Sequence, residues 1–418
     1  MKIAVITIGD ELVTGRTVDT NTSFIAQLTW QLSWPVVLSL SVGDDERAIA
    51  DALYFAIERA DAVILTGGLG PTADDITTQA VAHSLNLALY TDEQVLKGLQ
   101  DLFAKYNLKW TENNAKQAQF PVGSEILPNP IGTAPGFALR HNNRSIFVIP
   151  GVPREAERMM KEQVIPRLMT LSSGDVSIPV TRTIKTFGLS EAAVDNMLRD
   201  INFQDMKVKV GFYPHFPENH IVLTTLDKRE AEAKRRIEWA EKEIFSRIGN
   251  HIFAFDDETL EGNIGKLLKK RGWKISVAES CTGGLITDRL TDIPGSSDYV
   301  ERGFVTYSNL AKIELLGVPR EVIEAHGAVS EETARGMAEG ARLKAQTDVG
   351  LAVTGIAGPT GGSEVKPVGT VFIAIADHNG TFCVKHHFRW DRRRNKVISA
   401  EAALFLLLNY LRGENGAP

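Results

Sequence analysis

The sequence predicts an α/β protein, with two α/β catalytic domains and a small α+β domain between them. Two patterns and the length carry that expectation. Short apolar runs ending in glycine, IAVITIG at 3–9 and AVILTG at 62–67, read as parallel strands buried on both faces. Segments with apolar residues at helical spacing separate them, NTSFIAQLTWQL at 21–32 and ERAIADALYFAIERA at 46–60. The 418 residues amount to two or three domains at ~150 residues each. Ligands of such sheets are expected at the carboxyl ends of the strands.

The elements follow in order. PNPIGTAPGFAL at 128–139 is too rich in proline and glycine for a helix and reads as a loop returning into the strand SIFVIPG at 145–151. LSSGDVSIPV, beginning at 171, reads as a connection. A smaller unit comes next: strand VTRTIKTFG, helix SEAAVDNMLRD, strands around VKVGFYP and HIVLTTLD, and a charged helix over 228–248. The charges of that helix read as a solvated face. In DDETLEGNIGKLLKKRGW, Leu260, Ile264, Leu267 and Leu268 form one apolar stripe, and Gly272 stands at the helix C-terminus. Then come strand KISVAES, a helix, strand FVTYS, helix NLAKIELLG, a helix at 330–345, strand VGLAVTG, loop GIAGPTGG, strands GTVFIAIA and TFCVKHHF, and a final helix. The expected domains are 1–171, 172–255 and 256–418.

Composition bounds the function. Hydrophobic residues at 43% and charged residues at 23% are ordinary for a soluble globular protein. A net charge of −6 argues against non-specific nucleic-acid binding. Two cysteines, Cys281 and Cys383, form neither a disulfide framework nor a zinc pair, which suits a reducing cytoplasm. The apolar run at 402–411 is too short to span a bilayer.

The loop TGGLGPTADD at 66–75 joins a strand to a helix starting near Thr77. Its glycines let backbone N–H groups face an anion at a helix N-terminus. It matches neither the Walker nor the dinucleotide spacing. It carries Asp74 and Asp75, and a carboxylate beside a phosphate calls for a bridging divalent metal. Asp44 can reach the same rim. The competing reading is that Asp75 only caps the next helix.

Five stretches then occur in order: GDELVTGRTVDTN (9–21), VGDDE (42–46), TGGLGPTADDIT (66–77), NPIGTAPGF (129–137) and PGVPRE (150–155). They resemble the molybdopterin-binding-like domain of the competence/damage-inducible CinA family, and the likeness covers the whole chain. The resemblance implies an ADP-ribose pyrophosphatase that uses a divalent metal (Mg, Mn or Co) and yields AMP and ribose 5-phosphate. By that likeness Asp44 and Asp75 would hold the metal, and Thr66, Gly67, Gly68, Gly70 and Thr72 would line the phosphates. Glu11, Asn21, Thr133 and Glu155 are further lining candidates. Ser33-Trp34-Pro35 stands where the family usually has glycine, which implies an altered loop shape. The middle unit resembles the family's KH-like domain, but no G-x-x-G clamp occurs in 177–250, so RNA binding is not expected.

The second cluster is AESCTGG at 278–284. Ser280 ends a strand, and Gly283 and Gly284 free the backbone to approach a ligand. Such a serine also serves as a helix N-cap. A nucleophilic hydroxyl needs a base, the G-x-S-x-G elbow is absent, and the histidines form no triad motif. YSNLAK at 307–312 offers Lys312 in the first turn of a helix, where the dipole disfavours a cation. The competing reading is a surface lysine. Cys281, following the strand, reads as packed inward rather than nucleophilic.

AESCTGG, DIPGSSDYVERGFVTYSNLAK (292–312), HGAVSEETA (326–334), VTGIAGPTGGSEVKPVGTV (353–371) and HHFRWDR (386–392) resemble the CinA C-terminal domain and stand-alone nicotinamide mononucleotide (NMN) deamidases. The resemblance implies metal-free hydrolysis of NMN to nicotinate mononucleotide and ammonia. Ser280 would be the nucleophile, Lys312 the base, and Tyr307 or Lys312 the acid. Thr282, Gly283, Gly284, Ser297, Thr354, Gly355 and Gly358 would shape the pocket, and Arg392 would take the phosphate. Trp390 replaces a usual glycine, and Arg393 and Arg394 crowd the same segment, so a solvated basic run is the competing reading there. Some family members have lost parts of this motif set; this chain retains Ser280, Tyr307 and Lys312, so activity is expected. The expected partners are small nucleotides, with no nucleic acid and no membrane, and the likeness implies a homodimer. The rival readings are a binding protein of competence or DNA repair, or a pterin-binding transferase in front.

Overall fold

The computed structural model describes residues 1–171 and 178–413. Of the connection expected over 171–180, residues 172–177 lie outside the described residues, and the last three belong to strand Ile178–Thr186. The chain divides into two units, Met1–Val180 with Leu226–Ala233, and Thr181–Thr225 with Lys234–Pro418.

In the first unit, strand Ile3–Ile8 is buried along its whole length. Alternate side chains feed two cores: Ala4, Ile6 and Ile8 one, Ile3 and Val5 the other. That two-sided burial is why the strand reads as a continuous apolar run. The six-stranded sheet runs Val36–Val42, Ile3–Ile8, Ala62–Thr66, Arg144–Ile149, Gly136–His141, Glu125–Leu127. The first four strands are parallel and the last two antiparallel. Strand Gly136–His141 occupies part of the stretch expected to be loop. It is the first arm of a hairpin whose turn residues, Asn142 and Asn143, both have positive φ (47° and 63°). Asparagine accepts that backbone, so the turn signal lay beyond the proline-rich stretch. Trp34, in the departing turn, is 3% exposed and belongs to one of the two cores.

The small α+β sheet of the middle region runs Lys209–His215, Glu218–Asp227, Ile178–Thr186, Ile252–Phe255, with helices Glu191–Leu198 and Glu230–Ile248. The last sheet runs Val300–Val305, Ile275–Glu279, Val349–Gly355, Thr370–Ala376, Thr381–His387. Its first three strands are parallel and its last two antiparallel. Helix Leu260–Arg271 ends at Gly272, whose φ of 65° is the left-handed C-cap expected there. Helices Leu260–Arg271 and Arg392–Arg412 contribute to the core that holds Ile275 and Val277, and helix Glu331–Ala345 to the core that holds Ala278. Among the described residues, no helix is long and apolar enough to cross a membrane.

Candidate active sites

Each of the two α/β sheets has a cleft near the carboxyl end of one of its parallel strands. The first lies at the carboxyl ends of Ile3–Ile8 and Ala62–Thr66, the switch point of the strand order. It has a volume of about 510 Å³ and is lined by Glu11, Asn21, Asp44, Thr66, Gly67, Gly68, Gly70, Asp74, Asp75, Gln117, Thr133 and Glu155, among others. Of the expected lining residues, Thr72 alone is not on this wall; its N–H and hydroxyl instead donate to Asp75 Oδ2 at 2.8 and 2.5 Å. Helix Thr77–Ser84 has no side-chain cap, so Asp75 is not spent on capping.

The glycines are sterically required. A Cβ on Gly67, whose φ is 114°, would sit on the Ile8 carbonyl oxygen, and one on Gly70 would meet the Asp75 carboxylate. Asn21 donates to Thr66 Oγ1 at 3.0 Å and to the Gly151 carbonyl at 2.8 Å, tying the helix to the loop. Glu155 accepts from Asn129 at 2.7 Å, and Thr133 accepts from Gln117 at 3.2 Å. Gln117 Oε1 is buried without a partner.

Burial holds the Asp44 carboxyl above its usual range, reinforced by the charges of Asp10, Glu11 and Asp74. Six carboxylates line the cleft (Glu11, Asp19, Asp44, Asp74, Asp75 and Glu155), and with one of them already resisting ionisation they make an electrostatic deficit that a divalent cation would relieve. The donors are all oxygens, which suits a hard cation of the magnesium class. The residues therefore fit the expected metal.

The second site is built at the carboxyl end of Ile275–Glu279. Ser280 follows directly, and its N–H donates to the Val353 carbonyl at 2.9 Å. Glu279, wholly buried, accepts from the N–H groups of Gly284, Ile286 and Thr287 and from the Thr287 hydroxyl, at 2.8–3.1 Å. This carboxylate organises the turn and the start of helix Leu285–Thr291, whose N-cap is Gly284. Ser280 is therefore not the cap. Gly283 and Gly284 have φ of 66° and 99°, so a side chain there would be strained.

Lys312, in helix Asn309–Leu316, is 1% exposed. It donates to Ser280 Oγ at 3.1 Å and to the carbonyls of Thr306 and Tyr307 at 2.7 and 3.4 Å. Its pKa is lowered to about 8 by burial. The surface-lysine reading fails, and desolvation accounts for the shift without the helix dipole. Burial pushes the Cys281 thiol up to about 12, which leaves it protonated and unsuited to attack.

Beside this pair lies a cleft of about 720 Å³ lined by Thr282, Gly283, Gly284, Leu285, Asp288, Arg392, Arg393, Lys396 and Val397. Ser280, Lys312 and Tyr307 do not line it. Arg392 makes the link: it donates to the Tyr307 hydroxyl at 2.9 Å and to the Gly358 carbonyl at 2.7 Å. Thr282 Oγ1 is buried without a partner at the same wall. Lys396 stands one helical turn after Arg392, a spacing that the sequence displays.

Thr354 is buried and donates to the Ala328 carbonyl at 2.7 Å, and Gly355 ends the neighbouring strand. Ser297 is not brought to the site. It is exposed in the turn Ser296–Asp298, before strand Val300–Val305, whose first residue pairs with Ile275 at the amino end of the sheet.

The Glu279 network yields a stability prediction. Glu279→Gln offers one acceptor oxygen and presents donors to N–H groups, and lowers stability by about 2–4 kcal/mol. Equilibrium urea unfolding of the full chain checks it; a midpoint within error of the parent contradicts the scaffold role.

Sequence profiles for three domains match the chain: a probable molybdopterin binding domain over 4–170, the damage-inducible protein CinA KH domain over 181–254, and the CinA C-terminal domain over 257–411. The chain is similar to a CinA-like protein of Syntrophus aciditrophicus, 55% identical over 412 residues and covering 98% of each sequence. It is also similar to a putative competence-damage inducible protein of Caldanaerobacter subterraneus, 41% identical over 414 residues and covering 99% of each. Among solved structures, it is similar to the protein CinA with unknown function from Thermoplasma acidophilum. That match has 35% identity and a TM-score of 0.36, and covers 38% of this chain and 94% of the other.

Proposed function

The chain belongs to the CinA family, and on that premise we propose that its C-terminal domain hydrolyses the carboxamide of nicotinamide mononucleotide by a serine–lysine mechanism. The observation that carries the reading is the buried Lys312–Ser280 contact of 3.1 Å, with a lysine pKa lowered to about 8. A lysine that is partly neutral near physiological pH can accept the serine proton.

Ser280 Oγ attacks the carboxamide carbon as its proton passes to Lys312 Nζ. The tetrahedral intermediate collapses, Lys312 returns the proton to the departing ammonia, and a nicotinoyl ester remains on Ser280. Water then attacks the ester with Lys312 again as base, releasing the carboxylate and restoring the serine. Lys312 meets Tyr307 only through that residue's backbone carbonyl, and the Tyr307 hydroxyl, which accepts from Arg392, is the second candidate proton donor. Arg392, Arg393 and Lys396 give the neighbouring cleft positive charge that suits a nucleotide phosphate, which supports the reading. The unpartnered Thr282 hydroxyl supplies a donor for the same ligand.

The direct test is ammonia release from nicotinamide mononucleotide by the purified full chain, with and without chelator. Equal release in both supports the reading, and no release from the parent chain ends it.

For the N-terminal domain we propose metal-dependent hydrolysis of ADP-ribose. A bound divalent ion would neutralise the pyrophosphate and make a water more acidic at the cleft. Asp44 and Asp75 would hold the ion with Glu11 and Asp74 beside them, and the glycine loop at 67–70 would leave room for the phosphates. Chelator treatment is expected to lower ADP-ribose cleavage at least about 100-fold, restored by Mg²⁺ or Mn²⁺, and Asp44→Asn to lower it to a similar degree. Cleavage that survives complete metal removal contradicts these roles. Pterin transfer without pyrophosphate cleavage would favour the transferase reading, and tight, salt-sensitive DNA binding the competence reading.

A further inference from the structure

Among the described residues, one cluster outside both clefts combines three side chains able to hold a metal: His215, Glu218 and His220. They flank the two-residue turn Phe216-Pro217 between strands Lys209–His215 and Glu218–Asp227. In that hairpin His215 stands opposite Glu218, and Tyr213 opposite His220. Directly opposed residues share a face and the side-chain period is two, so all three groups project from one face of the sheet. The opposite face carries the fully buried Ile221 and Leu223.

The three ligand atoms lie within 4.8 Å of one another. His220 Nε2 and Glu218 Oε2 are 2.7 Å apart, and each of these side chains is 19% exposed. The two imidazoles stack at 5.1 Å between centroids, with planes 11° apart.

We propose that His215, Glu218 and His220 form a binding site for a divalent transition-metal ion of the zinc class. Two imidazole nitrogens and one carboxylate oxygen are a borderline donor set that prefers zinc, nickel or cobalt to magnesium. Metal–ligand distances of about 2.0–2.2 Å set tetrahedral donors roughly 3.3–3.6 Å apart, so the His220–Glu218 pair opens from 2.7 Å to admit the ion, by side-chain rotation on a backbone fixed by the hairpin register.

The position gives the ion a role. Phe216, at the tip of the turn, packs edge-on against Trp390 at 5.2 Å, and the Arg394 guanidinium lies 5.4 Å from both rings. Trp390 precedes by two residues Arg392, which lines the amidase-domain cleft and holds Tyr307. The ion braces the hairpin tip against that segment. The site stands on its own donors and does not depend on the proposed amide reaction.

The test uses the full chain stripped of metal and carrying Asp44→Asn and Asp75→Asn, which silences the acidic cleft. Titration with Zn²⁺ by calorimetry is expected to show one equivalent, and Co²⁺ to give the visible absorption of nitrogen–oxygen ligation. A tenfold excess of Mg²⁺, on the order of a transition site's discrimination, leaves the binding intact. His215→Ala, His220→Ala and the size-preserving Glu218→Gln each weaken Zn²⁺ binding, the histidine variants by more than about 100-fold. No saturable Zn²⁺ binding in the Asp44→Asn/Asp75→Asn chain, or binding unchanged in both histidine variants, overturns the site. Zn²⁺ is also expected to slow amide exchange around the turn at 216–217, and unchanged exchange on the loaded chain overturns the brace.

Discussion

Ser280→Ala abolishes ammonia release from nicotinamide mononucleotide, by about 10⁴-fold or more, and leaves ADP-ribose cleavage at the parent rate. The size of the loss follows from what the substitution removes. The adjacent Cys281 thiol cannot take over the covalent bond, because it is buried and held at a pKa of about 12. The fold is expected to survive. Lys312 keeps the Thr306 and Tyr307 carbonyls as acceptors, and the Glu279 network that shapes the turn does not involve the serine hydroxyl. A Ser280→Ala chain that retains more than about a tenth of the parent rate would sink the nucleophile assignment, since such a rate cannot come from binding alone.

Lys312→Met is expected to lower the same activity by about 10²–10⁴-fold, the usual range for loss of a general base. It also removes a limb of the pH profile. In the parent chain the base must be neutral, so kcat/KM rises with pH and levels off above the lysine pKa of about 8. Stability carries an independent signature. The folded-state pKa lies below the unfolded value of 10.5, so between about 8 and 10.5 the unfolded chain binds the extra proton. Parent stability therefore rises with pH through that window. Below it the buried, protonated lysine is a standing cost of roughly 3 kcal/mol. Methionine removes this cost but leaves the Thr306 carbonyl without its donor, for a net gain of about 1–2 kcal/mol at pH 7. Lost activity together with raised stability separates a catalytic lysine from a structural one, whose removal would lower both. A parent profile flat from pH 6 to about 9 would count against the assignment.

Glu279 was legible only as the neighbour of Ser280. Its work as acceptor for three N–H groups and a hydroxyl depends on the chain turning back on itself after Gly283 and Gly284, which no periodicity reports. Capping was a fair local reading of Ser280 and of Asp75, because the chemistry of a cap is the chemistry of any short polar side chain before a helix. The folded chain assigns the two caps elsewhere, to Gly284 and to the backbone at Ile76. Ser297 shows the converse. It belongs to a motif that reads as one block, yet its strand runs the length of the sheet between it and Lys312.

Local pattern by itself determined the alternation of strand and helix, the glycine loops at 67–70 and 283–284, the Gly272 cap and the residue types of both sites. Those features depend on near neighbours in the chain, so they can be read there. The tertiary structure alone decided that Ser280 and Lys312, 32 residues apart, meet at 3.1 Å. It also decided that the lysine is buried enough to become a base. Burial and cross-sheet distance are set by the packing of the whole domain, and the electrostatics of the site follow from them.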